Sequence, residues 1–354
     1  MRIIRLRRSQ EHEAYFQEYL GSGLVDCSVQ GREKWRWQYT QNPFSRGENL
    51  PVWTCVSSGK TIGQLGAIPL ELHVGARTIH GAWAVDFRVL PEYRGRGVGK
   101  LLVKEANRHF DAFLAIGATD MSFGLFTNEG WKALGGLPYY VKIWNADALV
   151  RGKFGSSFLS RLASVPLNGG LKLLDFLKTP RRPGSIDVNR MDGFGDEADR
   201  WWDEIRGAYD VVVSRNRAYL EWKYDRQPGM NYVKFRATRD GDLCGYIVVR
   251  VVDSGQQTRE GLIADIVVDP RDEDAIQSLT HEALTYLRSA PCSIARCYAS
   301  QAHVSRTLVR NGFLKRKPQL RFLVNKNIDG CEAVESMGEW CLAAGDSDMD
   351  RWEA

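Results

Sequence analysis

The chain has 354 residues, 44% of them apolar and 26% charged, with a net charge of +5. That length holds two ordinary domains, and the composition excludes a collagen-like, low-complexity or disulfide-scaffold protein. The modest positive charge is weak ground for a nucleic-acid partner, and none is expected.

No apolar run approaches a membrane span, and the first residues lack the apolar core of a signal peptide. The cysteines at 27, 55, 244, 292, 297, 331 and 341 are scattered, odd in number and without a Cys-x-x-Cys pair. That pattern predicts a reducing, cytoplasmic setting and argues against a zinc site. The histidines show no ligand spacing either, so no metal is expected.

In chain order, Ile3–Arg7 reads as a strand and residues 10–20 as a helix that ends at Gly21-Ser22-Gly23. Glu33–Tyr39 reads as a second helix, stopped by Asn42-Pro43. Strands follow over Val52–Ser57 and Thr61–Val74, joined by the hairpin signal Ser58-Gly59-Lys60. A turn at Gly75-Ala76 leads to a central strand that runs through Val85 to Leu90 and is stopped by Pro91. Gly95, Gly97 and Gly99 then alternate among Arg94, Arg96 and Lys100. Beyond them Leu101, Leu102, Val103 and Ala106 lie on one face of a helix predicted to reach about Ile116. Met121–Phe126 reads as a strand, Thr127-Asn128-Glu129 as the opening of a short helix ending at Gly135-Gly136, and Pro138–Ile143 as a closing strand.

The strand, glycine-rich basic turn and helix in sequence have a physical use. Unsatisfied N–H groups at a helix start, in the field of its dipole, bind anions. Glycines remove side chains that would block a phosphate and permit the backbone angles of an anion-binding nest. No Gly-Lys-Ser/Thr follows, which excludes a P-loop, and the alternating glycines are not the dinucleotide-binding Gly-x-Gly-x-x-Gly.

Arg94-x-x-Gly97-x-Gly99, preceded by Val89-x-Pro91-x-Tyr93, resembles the pyrophosphate-binding motif of the GNAT superfamily of N-acetyltransferases. The resemblance covers about residues 1–148. It implies an α/β fold with a central, mostly antiparallel mixed sheet flanked by helices. It also implies acetyl-CoA or another acyl-CoA as co-substrate, its pyrophosphate on Arg94, Gly95, Arg96, Gly97, Val98, Gly99 and Lys100. Backbone groups of Val89 and Leu90 would face the pantetheine arm, and Asn128 matches the family's Asn beside that arm.

In the family's geometry Asp86, five residues before Pro91, faces the acceptor and is the base candidate. Many relatives carry Glu further back on the strand, where this chain has Trp83; the competing role for Asp86 is a pair with Arg88. The family often supplies a Tyr as acid to the leaving thiolate, and here Tyr139 and Tyr140 are the candidates. Trp35, Trp37 and Tyr39 lie in the region that shapes the acceptor site, or else pack their helix on the sheet.

Residues 151–184 carry seven basic side chains against the single acid Asp175, interleaved with Leu and Phe. They read as a basic amphipathic linker, either an interdomain connector or a peripheral membrane contact. The pattern then begins again over 185–328. Trp222-Lys223-Tyr224 echoes Trp37-Gln38-Tyr39, and Ala264-Asp265-Ile266 echoes Val85-Asp86-Phe87, in each case roughly 180 positions on. The expected organisation is therefore two tandem GNAT-like domains, 1–150 and 185–328. In the second, Arg271-Asp272-Glu273-Asp274 replaces the basic loop, and its carboxylates would repel a pyrophosphate. Residues 329–354 form an acidic end, a docked helix or a loose tail.

The function these features imply is transfer of an acyl group from acyl-CoA to a primary amine of a small molecule, such as an amino sugar or amino-acid derivative. The alternatives are a non-catalytic acyl-CoA-binding scaffold and a peptidyltransferase of the duplicated fold that uses aminoacyl-tRNA. The intact basic loop argues against the latter.

Overall fold

The computed structural model describes residues 1–7, 24, 26, 28–147, 166–171, 183–253, 259–325 and 335–351. The helix expected over 10–20 and most of the basic stretch 151–184, with its candidate membrane contact, lie outside them.

In chain order the first part of the chain forms β1 (Arg2–Arg7), α1 (Val29–Tyr39), β2 (Asn49–Ser57), β3 (Lys60–Val74), β4 (Arg77–Val89), α2 (Val98–Asn107), β5 (Ala112–Ile116), α3 (Asp120–Asn128), β6 (Lys132–Gly136) and β7 (Tyr139–Ile143). The second part forms β8 (Asp187–Met191), α4 (Glu197–Ile205), β9 (Val211–Val213), α5 (Arg217–Leu220), β10 (Tyr232–Arg239), β11 (Asp242–Asp253), β12 (Arg259–Val268), α6 (Glu273–Ser289), β13 (Cys292–Tyr298), α7 (Ala302–Arg310), β14 (Leu314–Arg316) and β15 (Arg321–Val324).

These elements make two compact units, each discontinuous in sequence. The first comprises Met1–Gly136, Asp210–Met230 and Leu320–Glu339; the second comprises Leu137–Tyr209, Asn231–Gln319 and Trp340–Ala354. The divisions read from the sequence at 150, 185 and 328 therefore do not coincide with the compact units.

The sheet of the first unit runs β1-β2-β3-β4-β5-β15-β6, with β9 alongside the far end of β3. The sheet of the second unit runs β14-β7-β13-β12-β11-β10-β8. The two orders are the same. In each, among the described residues, the only parallel pair is the central one, β4 with β5 and β12 with β13. The fold is duplicated, as the echoes in the sequence imply. Each sheet, however, takes one strand from the other half of the chain. β15 lies between β5 and β6, and β7 between β13 and β14.

Local chemistry explains most elements. Ser58 and Gly59 adopt positive φ (51° and 76°), which turns β2 tightly into β3. On α2, Val98, Leu102, Val103 and Ala106 are buried while Lys100 and Lys104 face water, the stripe of a helix lying on a sheet.

The sequence reading is displaced by one element after α2. The helix ends at Asn107, not near Ile116, and the fully buried run Ala112–Ile116 is the strand. Met121–Phe126 lie in α3, whose start is capped by the Thr119 side chain accepting from the Ser122 amide at 3.3 Å. A short apolar run is compatible with either structure, and here the Thr119 cap and the pairing of β5 decide it.

Candidate active site

The basic loop begins with one 3₁₀ turn over Pro91–Tyr93. Arg94 folds back and its Nε donates to the Val89 carbonyl at 3.2 Å. The guanidinium of Arg96 lies 5.5 Å from the centre of the Tyr93 ring. Gly97 is the N-cap of α2, with φ 81° and ψ 0°, and no side chain caps the helix there. The first amides of α2 thus end in the open, under the positive end of the dipole. A Cβ at Gly97 would meet nothing within 4 Å, so the space above the loop is clear. A Cβ at Gly99 would lie 3.0 Å from Leu125 Cδ2 and 3.1 Å from Phe87 Cζ, so this glycine seats α2 against its neighbours. Lys100 is engaged: its Nζ lies 3.0 Å from Glu129 Oε1. The exposed loop charge comes from Arg94 and Arg96.

Behind the loop, β4 and β5 separate. Their parallel register covers Gly81↔Ala112, Ala82↔Phe113 and Trp83↔Leu114, and then stops, while β4 continues to Val89. Among the described residues, β4 has no partner strand on the β5 side from Ala84 onward, on the stretch that leads into the glycine loop.

On that stretch lies a β-bulge. Gln64 pairs with Arg88 and Gly66 with Val85, so Asp86 and Phe87 together face Leu65. Asp86 takes φ 49°, a conformation uncommon for a residue other than glycine. Strain of this kind persists where surrounding contacts impose it, and it concentrates at functional sites. The contacts are present here. Asp86 Oδ2 accepts from Tyr39 Oη at 2.6 Å and from Gln38 Nε2 at 3.0 Å, and the Asp86 carbonyl accepts from Gln64 Nε2 at 3.3 Å. Arg88 is not among the carboxylate's partners in the described residues.

Residues 12–120 match the family model described as acetyltransferase (GNAT) family. This stretch, which holds the glycine loop, is thus similar to a GNAT domain. Solved structures of similar fold include a probable N-acyltransferase from Enterococcus faecalis V583, with TM-score 0.63 and 12% identity over 91% of this chain and 72% of that one. A GCN5-related N-acetyltransferase from Anabaena variabilis ATCC 29413 gives TM-score 0.62 and 12% identity over 95% and 75%. N-myristoyltransferase from Saccharomyces cerevisiae with bound myristoyl-CoA gives TM-score 0.56 and 11% identity over 92% and 82%. At such identities the likeness is one of fold. No curated protein matches the sequence.

Several residues expected at the site fall in other elements, or in the other unit, than the sequence implies. Asn128 is the last residue of α3, not the first of a helix, because the elements are shifted by one. Leu90 has both backbone groups committed, its N–H to Ile62 and its carbonyl to Tyr93, and the Val89 carbonyl is taken by Arg94. Tyr139 and Tyr140 belong to β7 and hence to the second unit, whereas Asp86 is in the first. The Tyr139 hydroxyl accepts from Arg296 Nη1 at 2.8 Å, its ring stacks on Tyr298, and burial pushes its pKa up. The Tyr140 hydroxyl donates to Ser305 Oγ at 2.7 Å inside the core of that unit.

Trp35, Trp37 and Tyr39 are all buried. Trp37 stacks on its echo, Trp222, with centroids 4.5 Å apart and planes 5° apart, and each indole N–H donates to the other's carbonyl, at 2.7 and 2.9 Å. Trp83 is buried among core side chains, so it leaves Asp86 as the carboxylate on this strand.

Gln38, Gln64 and Gly66 were not singled out by sequence reasoning. Gln38 lies between two residues that were, but a lone amide carries no signal, and the roles of Gln64 and Gly66 depend on the β3–β4 register.

The second unit differs at each corresponding place. Asp272 caps α6 through its own carboxylate, which accepts from the Ala275 amide at 3.0 Å and pairs with Arg239 at 2.9 Å. The depression over that helix start is lined by Arg239, Asp269, Arg271, Asp272, Glu273 and Asp274. The β12–β13 register ends at Ile263↔Cys297. There the C-terminal segment enters as irregular chain: Ala343 bridges to Ala299, the Ser300 amide donates to the Leu342 carbonyl at 3.1 Å, and the Gly345 amide donates to the Ala264 carbonyl at 2.7 Å. Trp340, Leu342 and Ala344 are buried in it. Asp350 anchors its end, accepting from the Tyr232 hydroxyl at 2.6 Å.

Among the described residues no group of His, Cys, Asp and Glu could hold a metal ion, and no helix is long and apolar enough to cross a membrane.

Proposed function

We propose that this chain is an acyl-CoA-dependent N-acyltransferase whose acceptor is a primary amine of a small molecule, such as an amino sugar or amino-acid derivative. The reading is carried by one arrangement: a carboxylate on a strained bulge of β4, on the stretch that has no partner strand on the β5 side among the described residues and leads into a glycine-capped helix start. The residues fit an acyl-CoA. Arg94, Arg96 and the amides from Gly97 onward would take the pyrophosphate, and the β4 backbone from Ala84 onward would accept hydrogen bonds from, and donate them to, the pantetheine amides.

The chemistry asked of the protein is limited. An alkyl amine has a pKa of about 10.4 and attacks only when neutral, so a base raises the reactive fraction. Asp86 takes that proton. As the amine nitrogen bonds to the thioester carbonyl carbon, the carbon–sulfur bond breaks and the thiolate leaves. A thiol of pKa about 8.5 is an adequate leaving group without a dedicated acid. Holding the two reactants together supplies much of the rest, up to roughly 7–11 kcal/mol in the best intramolecular models.

In this reading the second copy holds no CoA. Its helix start carries its own carboxylate cap, and its open strand edge is filled by the C-terminal segment. The five described cysteines are free thiols, which supports a reducing, cytoplasmic setting.

The test is thiol release from acetyl-CoA and longer acyl-CoAs with a panel of glucosamine, galactosamine and the common amino acids, together with calorimetric titration of CoA. Turnover with an amine and one CoA per chain are expected. Asp86→Asn should lower kcat roughly 10²–10⁴-fold, with partial recovery at high pH where more amine is neutral. Wild-type turnover per folded molecule in that variant would overturn the assignment of the base, and two equivalent CoA sites would overturn the reading of the second copy.

A further inference from the structure

The hydrogen bonds to Asp86 are distributed unevenly. Both side-chain donors, Tyr39 Oη and Gln38 Nε2, converge on Oδ2, and Oδ1 accepts none among the described residues. A carboxylate held in this way cannot turn about its Cβ–Cγ bond without breaking both hydrogen bonds, which leaves Oδ1 as the oxygen available to a proton.

The clamp is itself rigid. Tyr39 and Gln38 are 1% and 0% exposed. The Tyr39 ring packs edge-to-face on Trp35 at 5.3 Å, and the chain behind it is tied by Ser45 Oγ donating to the Tyr39 carbonyl at 3.1 Å. The space for the hydroxyl exists because position 66 is glycine: a Cβ there would lie 2.0 Å from Tyr39 Oη.

Gln38 also keeps its Oε1 buried without a hydrogen-bond partner. A buried carbonyl oxygen left unpaired is destabilising, and an apolar side chain of the same size would serve better if the position only filled space. The amide is retained where its N–H reaches Asp86.

We propose that Tyr39 and Gln38 are positioning residues that lock Asp86 so that Oδ1 receives the amine proton, with Gly66 admitting the Tyr39 hydroxyl. This rests on the functional reading above. It reassigns Tyr39 from a wall of the acceptor site to a support of the base. A misplacement of about 1 Å at a reacting group can cost roughly 100-fold in rate, so the clamp has a measurable kinetic role.

The experiment is a cycle of Tyr39→Phe, Asp86→Asn and the double variant on the full chain, assayed with acetyl-CoA and the amine panel above. Tyr39→Phe keeps the ring and removes only the donor. It should lower kcat about 10- to 100-fold with KM for acetyl-CoA unchanged. In the Asp86→Asn background the same substitution should change kcat less than about twofold, because its effect passes through the carboxylate. Gln38→Leu, which removes the other donor, should behave in the same way, with melting curves confirming that each variant is folded. If Asp86→Asn is slow but Tyr39→Phe and Gln38→Leu turn over like wild type, the clamp is only a structural tether and the proposal falls while the base assignment stands. Equal losses in both backgrounds would also overturn it. If Asp86→Asn itself turns over normally, or no amine in the panel is acylated, the functional reading fails and this proposal fails with it.

Discussion

Gly97→Glu separates the two jobs proposed for the glycine loop, backbone geometry and anion binding. Gly97 sits at φ 81°, ψ 0°, where a residue with a Cβ pays about 1–2 kcal/mol in local strain. The first unit has roughly 180 residues, and at that size 1 kcal/mol moves Tm by about 2–4 °C, so Tm should fall by about 2–8 °C. No steric term adds to this, since a Cβ there meets nothing within 4 Å. The effect on CoA is separate. A carboxylate about 4 Å from a pyrophosphate charge is opposed by ~1 kcal/mol in water and ~4 kcal/mol at an effective dielectric of 20. Since 1.4 kcal/mol is tenfold, CoA should bind at least about fivefold more weakly.

Gly59→Ala is the control for strain. Gly59 has φ 76° and an equally empty surrounding, but lies in the β2–β3 turn. It should lose comparable stability and keep its CoA affinity. Calorimetric titration and a melting curve on the same preparations provide both readings. Gly97→Glu binding CoA within twofold of wild type would show that the loop does not hold the pyrophosphate.

Two further perturbations test the fold itself. Trp222→Ala removes half of the reciprocal Trp37–Trp222 stack and should destabilise by about 3–5 kcal/mol in denaturant unfolding. Combined with Trp37→Ala it should couple by more than 0.5 kcal/mol, and strict additivity would refute the pairing. His303, buried on α7, has its pKa lowered to about 4, chiefly by desolvation and then by Arg306, with Asp269 opposing. The unfolded chain takes up that proton below about pH 6.5 while the folded one does not. Stability should therefore fall as pH drops from about 6.5 to about 4, by an amount on the order of 3 kcal/mol. His303→Gln should flatten that part of the curve; an unchanged slope would place the titration elsewhere.

Much of this protein is written in short-range pattern. The Ser58-Gly59 hairpin, the stop at Pro91, the glycine-alternating basic loop and the apolar stripe of α2 depend on a few neighbouring residues each, so they are legible without a structure. The echo of Trp37-Gln38-Tyr39 in Trp222-Lys223-Tyr224 likewise reveals the duplication. Met121–Phe126 reads as a strand because a short apolar run has no period to distinguish it, whereas it lies in the helix Asp120–Asn128, which puts Asn128 at the end of an element and not at its start.

What only the tertiary structure decided is partnership between distant segments. β7 and β15 look the same in sequence whichever sheet they join, because alternation fixes which face of a strand is buried and not which neighbour it pairs with. Their exchange moves Tyr139 and Tyr140 out of the unit that holds Asp86. The clamp of Gln38 and Tyr39 on Asp86 likewise depends on the β3–β4 bulge and the space at Gly66. The filling of the β12–β13 opening by residues 340–345 depends on where two strands cease to pair. Each is a long-range contact whose hydrogen-bonding partners are chosen by three-dimensional fit, and no local pattern of residues encodes that choice.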